Sequence, residues 1–243
     1  MDIEGAVVLV TGASSGIGAE TARAASEAGA RLVLAERRED SIRQLADELG
    51  DAVAIRCDVT DPRQVEAAVR AATDAFGRIE VLVNNTGQGL QANVDEIDPE
   101  DFRALLDLNL VAPLITMQAV LPIMRSQAAG SIINVNSGIT FADLPGSAAY
   151  AASKIGLAKL SAMARVELES AGIAVSTVYP FVTATEFIES VRAGREAAEA
   201  LESDHAQQPQ RPEQVAAAIL DLIRTGAERT DLVTEAFGGT YQG

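Results

Sequence analysis

Short runs of Val, Ile, Leu and Ala, apolar without alternation, recur along the chain between longer stretches in which apolar residues return every third or fourth position. A strand buried on both faces reads as a continuous apolar run, and a helix packed on one side reads with a period of about 3.6 residues. The runs predict strands at roughly 6–11, 31–35, 52–57, 80–84, 131–136 and 173–179. The periodic stretches predict helices near 16–29, 39–49, 61–76, 100–127, 148–171 and 212–225. Strand and helix alternate throughout, the order of repeated βαβ units, so the expected fold class is α/β: a doubly wound parallel sheet between two helical layers. With no repeat of solenoid period and no low-complexity linker, residues 1–243 are expected to form a single domain.

The segment 181–211 fits neither pattern. It is rich in charge, contains Phe181, Phe187, Ile188, Val191 and Leu201, and follows the sixth strand. Ligands of such folds lie outside the carboxyl ends of the strands, so a substrate lid is favoured here over an inert surface insertion.

Charge and composition narrow the partners. A formal net charge of −16 and a pI of about 4.4 would repel both a nucleic-acid backbone and an anionic membrane surface, so neither is expected. Cys57 is the only cysteine and His205 the only histidine, which leaves no disulfide framework and no zinc cluster; no metal is expected. A Ser-His-Asp hydrolase would have to use His205, which lies in a polar run better suited to a surface residue. The first residues carry no signal-type apolar segment and no stretch reaches about 18 uninterrupted apolar residues, so a cytoplasmic protein acting on small molecules is expected.

The first strand runs directly into a glycine-rich turn, Thr11-Gly-Ala-Ser-Ser-Gly-Ile-Gly18, and then into an Ala-rich helix. Gly12 permits the tight turn, Gly16 lets backbone approach a pyrophosphate and Gly18 lets helix and strand pack closely. The helix start offers free N–H groups, to which Ser14 and Ser15 add hydroxyls beside Ile17, so the turn is a candidate dinucleotide cradle. Neighbouring strand ends supply further contacts: Glu36, Arg37 and Arg38 after the second, Asp58 and Val59 after the third, and Asn85, Thr86 and Gly87 after the fourth.

Tyr150 and Lys154 stand four residues apart on one expected helix, hence on one face. An isolated phenol titrates near ~10, and an adjacent ammonium favours the phenolate, which makes the pair a candidate acid and base. Lys154 and Lys159 are the only lysines among 19 basic residues, so a compact ammonium at 154 stands out against an arginine background. A solvated charge on an Ala-rich helix is the plainer alternative.

Together these motifs, over residues 5–187, resemble the classical short-chain dehydrogenase/reductase family, with its Rossmann-type sandwich. The glycine pattern falls on Thr11, Gly12, Gly16 and Gly18, and the Asn-Asn-Ala-Gly motif on Asn84-Asn85-Thr86-Gly87. The family's catalytic serine, thirteen residues before the tyrosine, falls on Ser137, and its asparagine on Asn109. The resemblance implies hydride transfer between a nicotinamide C4 and a carbonyl or carbinol carbon. Tyr150 would carry the proton and Ser137 would bond the substrate oxygen. Lys154 would hold the ribose and depress the tyrosine pKa, and Asn109 would position a relay water. Pro180, Thr183 and Thr185 match positions that contact the nicotinamide. Departures are Thr86 for the usual alanine, Phe181 for the usual glycine after Pro180, and a C-terminal segment from Thr234 unlike that of many members.

Cofactor choice is contested within the sequence: Glu36 suits the ribose hydroxyls of NAD, while Arg37 and Arg38 suit the 2′-phosphate of NADP, and the whole Leu34–Arg38 pattern favours NADP. The alternative to an enzyme is a nicotinamide-binding redox sensor without turnover; a methyltransferase on a related sheet would have no use for the tyrosine and lysine pair. The family also implies a homodimer or homotetramer packed through helices near 100–127 and 148–171.

Overall fold

The computed structural model describes residues 1–205 and 209–242. Its elements are β1 (Val7–Thr11), α1 (Gly16–Glu27), β2 (Arg31–Glu36), α2 (Glu39–Leu49), β3 (Ala52–Arg56), α3 (Pro62–Phe76) and β4 (Val81–Asn84). There follow α4 (Pro99–Leu106), α5 (Ala112–Gln127), β5 (Gly130–Val135), α6 (Ala148–Leu168), β6 (Ile173–Tyr179), α7 (Arg195–His205), α8 (Pro212–Thr225) and β7 (Arg229–Asp231). The strands form one parallel sheet in the order β3-β2-β1-β4-β5-β6-β7.

Burial on both faces explains the unbroken apolar runs. On β1, Val8 and Val10 pack with Leu32, Leu34, Val81 and Val83 against α1, α2 and α8, while Val7 and Leu9 pack with Val33, Leu82 and Ile132 against α3 and α5. Helix starts follow local chemistry. Pro62 and Pro99 each open a helix directly after an aspartate, and Asp61 accepts from Arg63 N as Asp98 does from Glu100 N. Each such cap stabilises its helix by about 1 kcal/mol.

Two features depart from the expected map. The stretch near 100–127 is interrupted by a π-helical turn at Asp107–Val111, centred on Asn109. The edge strand β7 has only three residues, Arg-Thr-Asp, with no apolar run to announce it. Inside the expected lid the chain forms a 3₁₀ turn at Glu186–Ser190 and then α7. The part of that segment at 206–208, and the side chain of His205, lie outside the described residues.

A buried polar chain ties sheet to helices behind the carboxyl ends of the strands. Asn84 Nδ2 donates to Asn134 Oδ1 at 2.9 Å, Asn134 Nδ2 donates to Ser161 Oγ at 2.8 Å, and Thr116 Oγ1 donates to Asn84 Oδ1 at 2.6 Å. Losing one partner would strand another in the core at roughly 1–3 kcal/mol, so this chain fixes α5 and α6 to the strands that carry the site.

Candidate active site

The strand order reverses between β1 and β4, and their carboxyl ends open the crevice where a doubly wound sheet binds its ligand. Gly16 has φ +53°, a left-handed conformation that a side chain would resist. A Cβ at Gly18 would stand 2.2 Å from the Gly12 carbonyl oxygen, so this glycine lets α1 close on the turn. The turn is also stapled to β4. Thr11 Oγ1 accepts from the Asn85 and Thr86 amides at 3.0 and 3.2 Å, and Asn85 Nδ2 donates to the Thr11 and Gly12 carbonyls at 3.1 and 3.0 Å. The Asn85 amide thus shapes the cradle, with Thr11 as its hub.

At the adenosine end Glu36 folds back, its Oε1 accepting from Arg37 N at 2.7 Å. Arg38 reaches over the turn, where its Nη2 donates to Ser14 Oγ at 2.6 Å and Ser15 Oγ at 3.0 Å, and its Nη1 lies 3.5 Å from Glu186 of the lid. The carboxylate that faces Arg38 is thus Glu186 and not Glu36. Asp58 and Val59 stand apart from the cavity wall. Val59 is buried in the core, and Asp58 Oδ1 accepts from Thr60 Oγ1 and N at 2.7 and 3.0 Å. Burial opposes charge on Asp58, but those Thr60 donors outweigh it and hold the carboxyl below its usual range.

The candidate catalytic side chains Ser137, Tyr150 and Lys154 come from two elements. Ser137 follows β5 and caps the 3₁₀ turn Gly138–Phe141, its Oγ accepting from Ile139 N at 3.2 Å. Tyr150 and Lys154 project from the first turns of α6. Asn136 joins the two elements, since its Oδ1 accepts from Ser137 N and its Nδ2 donates to the Lys154 carbonyl, both at 2.9 Å. Sequence reasoning missed Asn136, although it immediately precedes Ser137.

Lys154 Nζ lies 5.9 Å from the Tyr150 ring centre and donates to the Val135 carbonyl at 3.0 Å. Only 4% of the residue is exposed, and burial pushes its ammonium down to about 8. Asn109 sits one layer behind. Its Nδ2 donates to the Gln88 carbonyl and to Ser153 Oγ, at 2.9 and 3.0 Å, and its Oδ1 accepts from Gln88 N at 2.9 Å. A methyl group on Gly87 would stand 3.5 Å from both Asn109 Oδ1 and Lys154 Nζ, so these two groups face one spot beside the strand end.

One cavity of about 540 Å³ runs from the glycine turn past these groups to the lid. Of the motif, cofactor and catalytic candidates named from sequence, all line it except Thr11, Gly18, Asp58, Val59, Asn84 and Asn109. The segment after β6 lines the cavity beside Tyr150, with the Phe187 ring 5.8 Å from that of Tyr150. Phe237, from the C-terminal segment, also lines the cavity and packs on Phe181 with ring centres 4.9 Å apart. Among the described residues no group of three or more His, Cys, Asp or Glu could hold a metal ion.

Residues 6–196 match the family model described as short chain dehydrogenase. The chain belongs to this family. It is 36% identical to an uncharacterized oxidoreductase of Staphylococcus saprophyticus over 78% of this chain and 79% of that protein. It is 37% identical to the D-threitol dehydrogenase of Mycolicibacterium smegmatis over 76% of this chain and 72% of that protein. Its structure superposes with a TM-score of 0.89, at 25% identity and covering 95% and 90% of the two chains, on a short-chain dehydrogenase/reductase from Burkholderia phymatum in complex with NAD. This short-chain dehydrogenase is an NAD(P)-dependent oxidoreductase.

Proposed function

We propose that this short-chain dehydrogenase interconverts a small organic carbonyl compound and its alcohol, with Tyr150 as the proton donor and acceptor. The observation that carries the reading is the convergence of Ser137, Tyr150 and Lys154 on one wall of the cavity that begins at the glycine turn. The residues fit a nicotinamide dinucleotide: the tight glycines, the free N–H groups of α1 and the side-chain-free backbone at Gly87 leave a cradle that added Cβ atoms would fill. When bound, the nicotinamide supplies or takes the hydride.

The protein's own groups handle position and proton. In the reducing direction Ser137 Oγ donates to the carbonyl oxygen and stabilises its growing charge, and Tyr150 gives that oxygen its proton. The Lys154 cation lowers the cost of the phenolate left behind and, held by the Val135 carbonyl, is aimed at the ribose side of the cavity. The Asn109 amide is engaged with Gln88 and Ser153, so a relay water there would rest on the remaining Oδ1 lone pair or on a backbone carbonyl released by the π turn. Tyr150→Phe tests the assignment, because it keeps the ring and removes the proton: turnover should fall by about 10²–10⁴.

NADP is the favoured cofactor. Arg38 with the Ser14 and Ser15 hydroxyls forms a cationic, donor-rich pocket suited to a 2′-phosphate, and the Glu36 carboxylate that would repel it is turned onto the Arg37 amide. Tighter binding of NADH than of NADPH at physiological salt would overturn this. Segment 181–211 serves as the substrate lid of a single domain. The site also speaks against the redox-sensor alternative, since simple binding gives no use to Ser137 and Tyr150 together.

The protein assembles as a homodimer or homotetramer in the cytoplasm. Ile155, Met163 and Val166 lie exposed along one side of α6, and the helical segment 99–127 has mean hydropathy 1.7 over a window of which only 39% is buried. A monomer by light scattering at micromolar concentration would reject the assembly.

A further inference from the structure

Beyond Ser137 and Tyr150 the cavity wall is made by Leu90, Leu144, Val191, Leu201, Phe181 and Phe237. Several polar groups in the same stretch are engaged within the protein. Gln91 Nε2 donates to the Pro145 carbonyl at 2.9 Å, Gln91 Oε1 accepts from Ser147 Oγ at 3.2 Å, and Gln88 Oε1 accepts from Arg192 Nε at 3.2 Å. The cations on the wall are Arg37 and Arg38 at the adenosine end and Lys154 at the reacting centre, while the lid adds the acidic Glu186 and Glu189.

The aromatic pair is built into this end with care for space. A Cβ at Gly138 would stand 2.8 Å from Val233 Cγ2 and 3.4 Å from Phe181 Cδ2, so only a glycine after Ser137 lets Phe181 and the C-terminal segment close on the serine's own loop. That segment is pinned. A Cβ at Gly239 would stand 2.0 Å from the Val233 carbonyl oxygen, Tyr241 N donates to that carbonyl at 2.9 Å, and Thr240 N and Oγ1 donate to the two Asp231 carboxylate oxygens at 2.8 Å each. Phe237 is thereby fixed against Phe181, and it lies outside the stretch matched to the family model.

We infer that the enzyme acts on uncharged, aryl-bearing ketones and the corresponding secondary alcohols, with Phe237 as the residue that selects the ring. The inference rests on Tyr150 and Ser137 being the groups that receive the carbonyl oxygen. A ring seated on the Phe181–Phe237 wall lies beside the Ser137 loop, which presents its attached carbonyl to the serine and tyrosine. An anionic substrate would bury its charge among apolar side chains, with no cation among the described residues of the Phe181–Phe237 wall to pair it. A polyol would gain few hydrogen bonds there, because Gln91 and the Gln88 side-chain oxygen are already engaged.

The test is initial-rate kinetics on the full chain with acetophenone, acetone and acetylbenzoate, using NADPH and NADH, for wild type, Tyr150→Phe, Phe237→Ala and Phe237→Leu. Acetophenone should exceed both other substrates in kcat/KM by about tenfold or more. Phe237→Ala should cut the acetophenone-to-acetone ratio by about tenfold, and Phe237→Leu, which keeps apolar volume, should cut it less. Equal use of acetylbenzoate or acetone, no turnover of acetophenone by wild type, or an unchanged ratio in Phe237→Ala would overturn the inference. Wild-type turnover by Tyr150→Phe would instead overturn the assignment beneath it. Dissociation constants for NADPH report whether each variant is folded, and the leucine variant carries the test if the alanine variant loses cofactor binding.

Discussion

The two ends of the cleft are built by different means. The cofactor end is largely backbone and short polar side chains, with Gly12 and Gly16 in the turn between β1 and α1 and the Thr11 hydroxyl and Asn85 amide at the ends of β1 and β4, joined by Arg38. The other end is bulk apolar side chains from the segment after β6 and the C-terminal segment, among them the packed rings of Phe181 and Phe237. Binding a dinucleotide demands donors at fixed spacing, whereas enclosing an apolar substrate demands only volume and the absence of unpaired polar groups. The first end therefore tolerates little change and the second much, and this contrast can be broken at several points.

The largest effect belongs to Tyr150→Phe, already expected to remove about 10²–10⁴ of turnover through loss of the proton. Lys154→Met should lower kcat/KM by about 10²–10³ and yet raise the stability of the cofactor-free protein at neutral pH. Burial sets the folded pKa of Lys154 at about 8, below its ordinary 10.5, so between these values the unfolded chain binds the extra proton. Stability therefore carries a penalty below about pH 8 that is relieved as the pH rises to 10.5. The penalty is on the order of 3 kcal/mol, from which the donor lost to the Val135 carbonyl subtracts about 1 kcal/mol in the variant. Thermal unfolding from pH 7 to pH 10 checks this: wild type should gain on the methionine variant as the pH rises, and parallel curves would show that the ammonium is not strained by burial.

Gly18→Ala comes next. The new methyl would start 2.2 Å from the Gly12 carbonyl oxygen, so α1 must shift away from the turn. Affinity for either cofactor should fall by about tenfold or more, with a stability loss of about 1–3 kcal/mol. A variant with wild-type cofactor titrations would show that the turn has slack that the packing around it does not suggest.

Legibility in the sequence followed the same division. The strands were readable because Val7–Val10, Leu32–Ala35 and Val81–Val83 are buried on both faces and so stay apolar without interruption. The glycine turn and the Tyr150–Lys154 pair stood out by residue type and spacing and Ser137 through the family resemblance, and the fold brings Gly12, Gly16, Ser137, Tyr150 and Lys154 to one cavity. The short strand β7 was not, since Arg-Thr-Asp at a sheet edge is chosen by pairing to β6 rather than by burial. The π turn was hidden inside a continuous helical pattern, because the phase shift of its extra residue falls in Leu105–Leu114, a stretch apolar at most positions. Phe237 was hidden because one phenylalanine near a chain end carries no motif; the Gly238-Gly239 pair after it was the available signal. The local turn at Asp58 was not legible either: its Oδ1 accepts from Thr60, two residues on, and the residue does not line the cavity.

The smallest effect tests the seam between the two ends, where Glu186 of the lid meets Arg38 of the cofactor pocket at 3.5 Å. Both side chains are 56% exposed, so the pair itself stabilises the fold little. Its consequence is competition: a carboxylate already faces the guanidinium that would bind a 2′-phosphate. Glu186→Gln should tighten NADPH binding by about two- to fivefold and leave NADH unchanged, the difference shrinking as salt rises. Arg38→Leu should weaken NADPH selectively and erase the effect of Glu186→Gln when the two are combined. Equal shifts for both cofactors would mean that Glu186 acts on lid position rather than on the phosphate pocket, and the cofactor end would then be independent of the lid that closes the substrate end.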